Sequence, residues 1–448
     1  MRYYLDPLGC AKNQVDAETL MAFLREASWV SVEDPAQAQL IIVNSCGFIA
    51  KAKQESINAV LKYRKTYPDK KIVLAGCLAQ GYAQELSEAL PEADLIFGNR
   101  DLAKITQAAS LALAPAQSSA SSRVFVPRER PDTALPALGR RPLLSLPGSA
   151  YVKIAEGCDN HCTFCAIPRI RGPLRSRALS EVVAECRELL DRGIKELCLI
   201  GQDLASYGTD RTGGRSELPQ LLQALSRLHG RFWVRLLYLH PDKFPPDILD
   251  IIRGDPRLLP YFDLPFQHGA SKILRAMNRR GTGASYLALM QGIRETLPEA
   301  TIRSTFLTGF PGETEKDFQG LLDFQEQAQL DWVGCFTYSR EEHTPAYSLK
   351  PRIPQDLAQA RKELIETRQV PITEKRLDRF LGRTLEALVE EAVQSPPEQS
   401  YVYLARLMCQ APEVDGLTCI RSDTPLVPGT FVKGRIFARQ GFDLHLQT

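Results

Sequence analysis

Long apolar runs are missing from this chain: the longest, such as residues 40–43, fall far short of the roughly 20 residues that span a bilayer. The opening Met1-Arg2-Tyr3-Tyr4 leads straight into a strand-like run, without the charged segment, apolar segment and small-residue cleavage site of a secretory signal. A cytoplasmic location is expected, with no membrane partner. An excess of charge of one sign is missing too. Lys and Arg number 55 against 53 Asp and Glu, a net +2, so no global field draws the chain onto nucleic acid or an anionic membrane. Any such contact must be local. No solenoid-type repeat is found. The 11 cysteines are an odd number in so long a chain, which makes a poor disulfide framework; in a reducing compartment they bind metal or act chemically.

What remains is the composition of a folded protein. Hydrophobic residues at 44% and charged residues at 24% leave too much apolar material for global disorder. A length of 448 residues, at roughly 150 per domain, predicts about three domains. Residues 1–113 alternate strand runs (3–8, 40–44, 72–75, 95–97) with helical patterns (13–27, 49–63, 78–90, 101–113), which predicts a parallel sheet with helices on both faces. Residues 114–147 carry Ala, Ser, Pro and mixed charge without an apolar period, and read as a linker or extended excursion. A second βα series fills 148–380, with strands near 151–155, 196–200, 233–238, 261–264, 301–307 and 332–338 and a helical connector over 356–380. Six units fall short of the eight of a closed barrel, so an open partial barrel is expected. Residues 381–448 change to short strands and turns (385–389, 401–407, 430–438, 442–446), the pattern of a small all-β barrel.

The cysteine spacing is the sharpest chemical signal. Gly157-Cys158-Asp159-Asn160-His161-Cys162-Thr163-Phe164-Cys165 is a C-x-x-x-C-x-x-C array on a loop directly after a strand. Three thiolates can wrap one iron–sulfur cluster, yet a four-iron cube normally takes four, so one iron stays open to a small molecule. Tetrahedral zinc also wants four ligands, and His161 lies within the array. His161 directly precedes Cys162, however, and adjacent residues rarely chelate one ion comfortably, which favours the cluster. Three more cysteines, Cys10, Cys46 and Cys77, each follow an apolar strand and lie beside Gly or Ser. Carboxyl ends of neighbouring parallel strands share one edge, so residues separated by 35 and 30 positions can converge there. One such cysteine reads as a buried small hydrophobe. Three at equivalent places read as a second set of ligands, again one short. Cys186, Cys198, Cys335, Cys409 and Cys419 show no ligand spacing and are expected to be structural.

The array at 158–165, at the end of the first strand of a six-unit βα series, resembles the radical S-adenosylmethionine superfamily. That resemblance implies an open iron that binds S-adenosylmethionine and an electron that cleaves it to methionine and a 5′-deoxyadenosyl radical, with Phe164 near the adenine. Soft thiolate ligation suits a low-potential cluster of this kind.

Over essentially the whole chain, the two trios and a barrel opening Leu381-Gly382-Arg383-Thr384 resemble the methylthiotransferases, which join a cluster domain, a radical domain and a TRAM domain. Glu156-Gly157-Cys158, Cys165-Ala166-Ile167-Pro168, Arg171-Gly172, Ser176-Arg177, Gly201-Gln202-Asp203, Leu264-Pro265-Phe266-Gln267-His268-Gly269 and Gly309-Phe310-Pro311-Gly312-Glu313-Thr314 carry the match. The resemblance implies two [4Fe-4S] clusters: one on Cys158, Cys162 and Cys165 to generate the radical, and one on Cys10, Cys46 and Cys77 to carry sulfur. It places Gly201, Gln202, Asp203, Gly309 and Glu313 near S-adenosylmethionine; His268 stays open between a structural and a functional role. A second S-adenosylmethionine supplies the methyl group, and an external electron donor and sulfur source are required. Removing hydrogen from an unactivated carbon is beyond any side-chain base, so the cofactor must do it.

Better known branches of this family modify either an adenosine of transfer RNA or an aspartate of the small-subunit ribosomal protein numbered twelve. The run Cys10-Ala11-Lys12-Asn13-Gln14-Val15-Asp16 resembles the ribosomal-protein branch, as do Arg303-Ser304-Thr305-Phe306 and Tyr338-Ser339-Arg340-Glu341-Glu342-His343. Within 381–448 eight acids stand against six bases, a net −2, which suits a basic protein partner better than RNA phosphates. Nucleic-acid contact is secondary, through Lys433, Arg435 and Arg439. Arg171, Arg177 and Arg303 are expected to touch substrate. The resemblance thus implies methylthiolation of the β-carbon of that aspartate, in the free protein or the assembled subunit. A transfer-RNA methylthiotransferase remains the close rival. A non-catalytic metal-stapled RNA-binding protein is the alternative of another class.

Overall fold

The computed structural model describes residues 1–114, 123–127, 140–393 and 401–448. The first body is a six-stranded sheet built from β1 (Arg2–Pro7), β2 (Val30–Ser31), β3 (Leu40–Ser45), β4 (Lys71–Gly76), β5 (Leu95–Phe97) and β6 (Val124–Phe125). Its order is β2-β1-β3-β4-β5-β6 and every pairing is parallel. A parallel sheet is covered on both faces, and the uninterrupted run of β3, buried throughout, reflects that. Leu40 and Ile42 join Leu20, Leu24 and Ile105 in one core, whereas Ile41 and Val43 join Val60, Tyr63 and Leu86 in another.

The stretch expected as a linker is not wholly outside the sheet. Val124 and Phe125 pair with Ile96 and Phe97 and form the last edge strand. Two residues are too short to show a period, which is why the pattern hid them. Residues 115–122 and 128–139 of that linker lie outside the described residues.

The second body is an open, parallel sheet of β7 (Ser149–Lys153), β10 (Glu196–Ile200), β11 (Trp233–Leu236), β12 (Leu258–Asp263), β13 (Thr301–Thr308) and β14 (Trp332–Thr337), ordered β14-β13-β12-β11-β10-β7. Between its first two strands, β8 (Ala155–Glu156) and β9 (Arg175–Ser176) pair antiparallel and frame the loop that holds 158–165. Side chains alternate along these strands. Val152, Leu197, Leu199, Val234 and Phe262 face the helices, while Tyr151, Cys198, Trp233, Tyr261 and Trp332 face the interior. The connector is a single helix, Gln355–Asp378.

The third body is a closed five-stranded barrel of β15 (Thr384–Val393), β16 (Tyr401–Leu407), β17 (Thr418–Ser422), β18 (Phe431–Gln440) and β19 (Asp443–Gln447). β17 escaped the sequence pattern because Cys419 and Ile420 are its only apolar side chains. This barrel plugs the partial barrel at the end where its strands begin. Arg406 of β16 and Arg235 of β11 converge on the buried carboxylate of Glu196, at 2.5 and 2.7 Å. Arg235 also donates to the carbonyl of Met408 (2.8 Å), Trp332 Nε1 donates to that of Cys409 (2.8 Å), and the Tyr261 hydroxyl donates to Asp415 (2.7 Å). The opposite end of the partial barrel, where its strands finish, therefore carries the chemistry, as in other βα folds.

Burial alone would raise the Glu196 carboxyl, but Arg406 and Arg235 outweigh it and hold it down to about 2. A depressed carboxyl contributes stability that is complete above its unfolded value and is lost as pH falls through the folded one. Glu196→Gln leaves the buried guanidinium of Arg235 without a carboxylate and that of Arg406 with Glu390 alone, so it should cost about 3–5 kcal/mol at neutral pH. Thermal denaturation should show a lower midpoint and a flatter acid limb than the parent between the ordinary carboxylate value of 4.5 and about 2.

Candidate active site between two cysteine trios

One trio stands at the ends of adjacent strands. Cys10 caps the helix Ala11–Glu26 after β1, Cys46 directly follows β3, and Cys77 follows β4 to open the helix Cys77–Gly81. Gly76 makes the last turn possible. Its φ is +95°, and a Cβ there would lie 2.6 Å from the carbonyl oxygen of Ser45. Asn13 and Asn44 lock the neighbouring loops reciprocally: Asn13 Nδ2 donates to the Asn44 carbonyl (3.0 Å) and Asn44 Nδ2 to the Asn13 carbonyl (2.7 Å). The Cys46 amide donates to Ser56 Oγ (3.1 Å).

The second trio lies on the loop after β8. Gly157 enters it with φ +74°, and a Cβ there would collide with the carbonyl of Pro173. The Cys158 amide donates to the Gly172 carbonyl (3.1 Å), Thr163 Oγ1 to that of Ala276 (2.8 Å), and the Asn160 amide to Cys158 Sγ (3.4 Å). His161 is exposed with its carbonyl held by Asn278, so it is not turned in as a fourth ligand. Phe164 packs beside Ile273, Met277, Leu307 and Phe310.

The first trio packs against the segment that follows the second. Cys77 packs against Ala166 and Ile170, next to Cys165 in the chain. Arg171, only 2% exposed, donates from Nη2 to Cys77 Sγ at 3.0 Å and pairs with Asp16 (2.9 Å) and Glu156 (2.8 Å). Lys153 pairs with the same two acids. Asp16 belongs to the first body and the other three to the second, so this buried tetrad joins them beside the sulfurs. Asn99 Nδ2 approaches Cys77 Sγ from the other side (3.5 Å).

Burial pushes the thiols of Cys77 and Cys165 up to about 12 and that of Cys158 to about 11. Burial would raise Cys10 as well, but Lys12, Arg171 and the N–H groups of Lys12 and Asn13 outweigh it and lower it. Within each trio the sulfurs sense one another electrostatically. Among the described residues, no three His, Cys, Asp or Glu side chains gather tightly enough to hold a single ion. A four-iron cube instead takes its thiolates at separate corners, and N–H donors to sulfur are what such clusters use to set their potential. The donor set therefore fits a cluster at each trio, with three thiolates and one open iron.

The remaining expected residues line or brace this end. Gln202 Nε2 donates to Glu156 (3.2 Å), and its Oε1 is buried without a partner. Asp203 is fully engaged: it accepts from the Ala205 and His240 amides (2.9 and 3.1 Å), Asn160 Nδ2 (2.8 Å) and Ser206 Oγ (2.6 Å). Gly201 directly follows β10 and is buried. Glu313 accepts from the Gly309 amide and Arg361 Nη1, both at 2.8 Å, so it braces the end of β13. His268 is buried, accepts the Ala270 amide on Nδ1 (2.9 Å), and is pushed down to about 3 by burial. Arg177 donates to the Lys153 carbonyl (2.9 Å) and pairs with Glu185, and Arg303 pairs with Asp263 (3.2 Å) and Asp415 (3.5 Å). Cys186, Cys198, Cys335 and Cys409 are buried away from both trios, and Cys419 is half-buried. Sequence reasoning missed Glu156, Lys153, Asp16, Asn44 and Asn99 as parts of the site. Asn44 and Glu156 stand next to or near the cysteines; Asn99 carried no signal.

Known proteins match each body. Residues 2–98 match the model described as uncharacterized protein family UPF0004, residues 152–324 the radical SAM superfamily, and residues 381–447 the TRAM domain. The solved radical S-adenosylmethionine methyltransferase TsrM from Kitasatospora setae shares the fold at 16% identity, with a TM-score of 0.55 over 77% of this chain and 76% of that one. These define a radical S-adenosylmethionine enzyme with two added domains. The ribosomal protein uS12 methylthiotransferase RimO of Treponema denticola is 46% identical over 98% of this chain and 99% of its own length. Those of Moorella thermoacetica (42%, 95% and 94%) and Aquifex aeolicus (38%, 98% and 95%) are similar throughout. The chain belongs to the radical S-adenosylmethionine methylthiotransferases, in the RimO family. Membership of the radical superfamily implies a [4Fe-4S] cluster and S-adenosylmethionine. No helix among the described residues is long and apolar enough to cross a membrane.

Gly157→Ala must shift the Pro173 carbonyl or break the left-handed turn, so it should destabilise the protein by about 1–3 kcal/mol. Denaturant titration of the variant against its parent measures this; an unchanged midpoint would contradict the close approach.

Proposed function

We propose that this chain adds a methylthio group to the β-carbon of an aspartate in ribosomal protein uS12, free or in the small subunit. Cys158, Cys162 and Cys165 would hold one [4Fe-4S] cluster and Cys10, Cys46 and Cys77 a second, within domains at 1–113, 148–380 and 381–448, with 114–147 between the first two and its residues 124–125 in the first sheet. The observation that carries the reading is the bond from Arg171 to Cys77 Sγ, which keeps the two trios at one chamber. When bound there, the clusters and S-adenosylmethionine supply the radical that removes hydrogen and the sulfur and methyl group that replace it. An external electron donor and sulfur source complete the chemistry.

The chain's own residues do the placing. Phe164 offers an apolar edge to an adenine beside Cys162 and Cys165. Gln202, with its buried and unpartnered Oε1, is the group at the end of β10 with an acceptor to spare for S-adenosylmethionine. Gly201, Asp203, Gly309 and Glu313 shape that pocket by holding the strand ends. Arg171 keeps a positive charge against Cys77, and Arg177 anchors the returning strand to β7. Arg303 lines the chamber's floor, where Asp263 and Asp415 hold it.

The C-terminal barrel is less simply acidic than its count. Arg406, Glu390 and Asp415 are spent inside the interface, and Glu398 lies outside the described residues. Outward, Lys433, Arg435 and Phe437 alternate along β18 with Arg421 beside the Phe437 ring (5.7 Å). That stripe suits phosphates and stacked bases, in keeping with nucleic-acid contact as a secondary partner.

Replacing Cys10, Cys46 and Cys77 together by alanine should lower the iron of anaerobically reconstituted protein from about eight to about four atoms per chain, since each trio takes one four-iron cluster. S-adenosylmethionine cleavage should persist while methylthiolated uS12 disappears. Product formation by the triple variant would overturn the division of labour, and modification of transfer RNA instead of uS12 by the parent would overturn the substrate.

A further inference from the structure

Lys12 occupies an unusual position. It is the second residue of the helix Ala11–Glu26, where the partial positive charge of a helix N-terminus disfavours a cation. Its ammonium sits 2.9 Å from the centroid of the Tyr238 ring. Among the described residues, no hydrogen-bond or ion-pair partner is found for its Nζ. The acids within electrostatic reach, Asp263 and Glu156, are already committed, Asp263 to Arg303 and Glu156 to Arg171 and Lys153.

The seat beneath it is built at a cost. Tyr238, two residues past β11, has φ +68°, a backbone region that a bulky aromatic rarely adopts. Two hydrogen bonds hold it there: its amide donates to Asp263 (3.1 Å) and its carbonyl accepts the Leu204 amide (2.9 Å). The strained residue presents a ring face to the ammonium, and the ring supplies no anion to balance its charge. Cys10 lies two residues away, and Arg171 of the other body, itself bonded to Cys77 Sγ, lies within electrostatic reach of the ammonium.

We infer that Lys12, seated on Tyr238, binds the side-chain carboxylate of the residue being modified and so selects an aspartate over a nucleobase. The inference rests on the uS12 reading above. In an aspartate the carboxylate is bonded directly to the β-carbon, so a cation that holds the one fixes the distance of the other from both trios. An adenine offers no anion at its reacting edge, and an unpartnered ammonium there gives it nothing.

The test uses reconstituted holoenzyme of verified iron content and purified uS12 whose modified aspartate, located by mass spectrometry, is kept or replaced by asparagine. The parent should bind the aspartate form about 10- to 100-fold more tightly than the asparagine form, the weight of a charge-assisted hydrogen bond. Lys12→Met should bind both alike, with its loss in KM, and Lys12→Arg should keep part of the preference. A Lys12→Met enzyme that retains the preference overturns the inference. If that variant fails to fold, the parent still decides against it should the two forms bind equally. A parent that leaves uS12 unmodified overturns the substrate reading instead, and the inference with it.

Discussion

A buried ionic tetrad makes two separate folds into one reaction chamber. Arg171 and Lys153 share Asp16 and Glu156, and Arg171 Nη2, which pairs with Asp16, also donates to the sulfur of Cys77. Taking four charges out of water is costly, and such a network is stabilising only when each charge is matched. The matching here spans two bodies, so neither half is satisfied alone. The contact that docks the first sheet onto the partial barrel therefore also touches the sulfur of Cys77.

The partial barrel is closed from both ends by different means. Where its strands begin, the C-terminal barrel inserts Arg406 and the 408–415 turn, and Glu196, Trp332 and Tyr261 receive them. Where its strands finish, the helix Ala11–Glu26 lays Ala11 and Val15 into the same interior core as Tyr151 and Cys198. The first closure joins matched buried charges to an apolar core and the second is a helix packed on that core, an arrangement that suits radical chemistry, which must not take hydrogen from solvent. Asp415 reaches from the plug to Arg303, so the two closures are linked through the Arg303 and Asp263 pair.

Much of this was legible in the sequence, for identifiable reasons. Strand runs such as 40–44 and 196–200 stand out because parallel strands are buried on both faces, and the cysteine trios stand out because each repeats one position relative to a strand end. β2 and β6, of two residues each, are too short to show a period, and β17 carries only two apolar side chains. Asp203 and Glu313 were read as cofactor residues, yet their oxygens are occupied by amides and neighbouring side chains, a fact that needs coordinates. Arg171, which the motif marks as a substrate residue, lies against a sulfur across a body boundary, a neighbour that the motif does not reveal. Periodicity tells which residues share a face; it does not tell which two faces meet.

The central claim is that both trios carry clusters close enough across this chamber to act on one substrate. Electron paramagnetic resonance of the fully reduced, reconstituted protein tests it most directly. Two reduced clusters facing one chamber should give a spectrum broadened by spin–spin interaction, which collapses to that of one isolated cluster when the first trio is removed. A parent spectrum that is the plain sum of two non-interacting clusters would contradict the account.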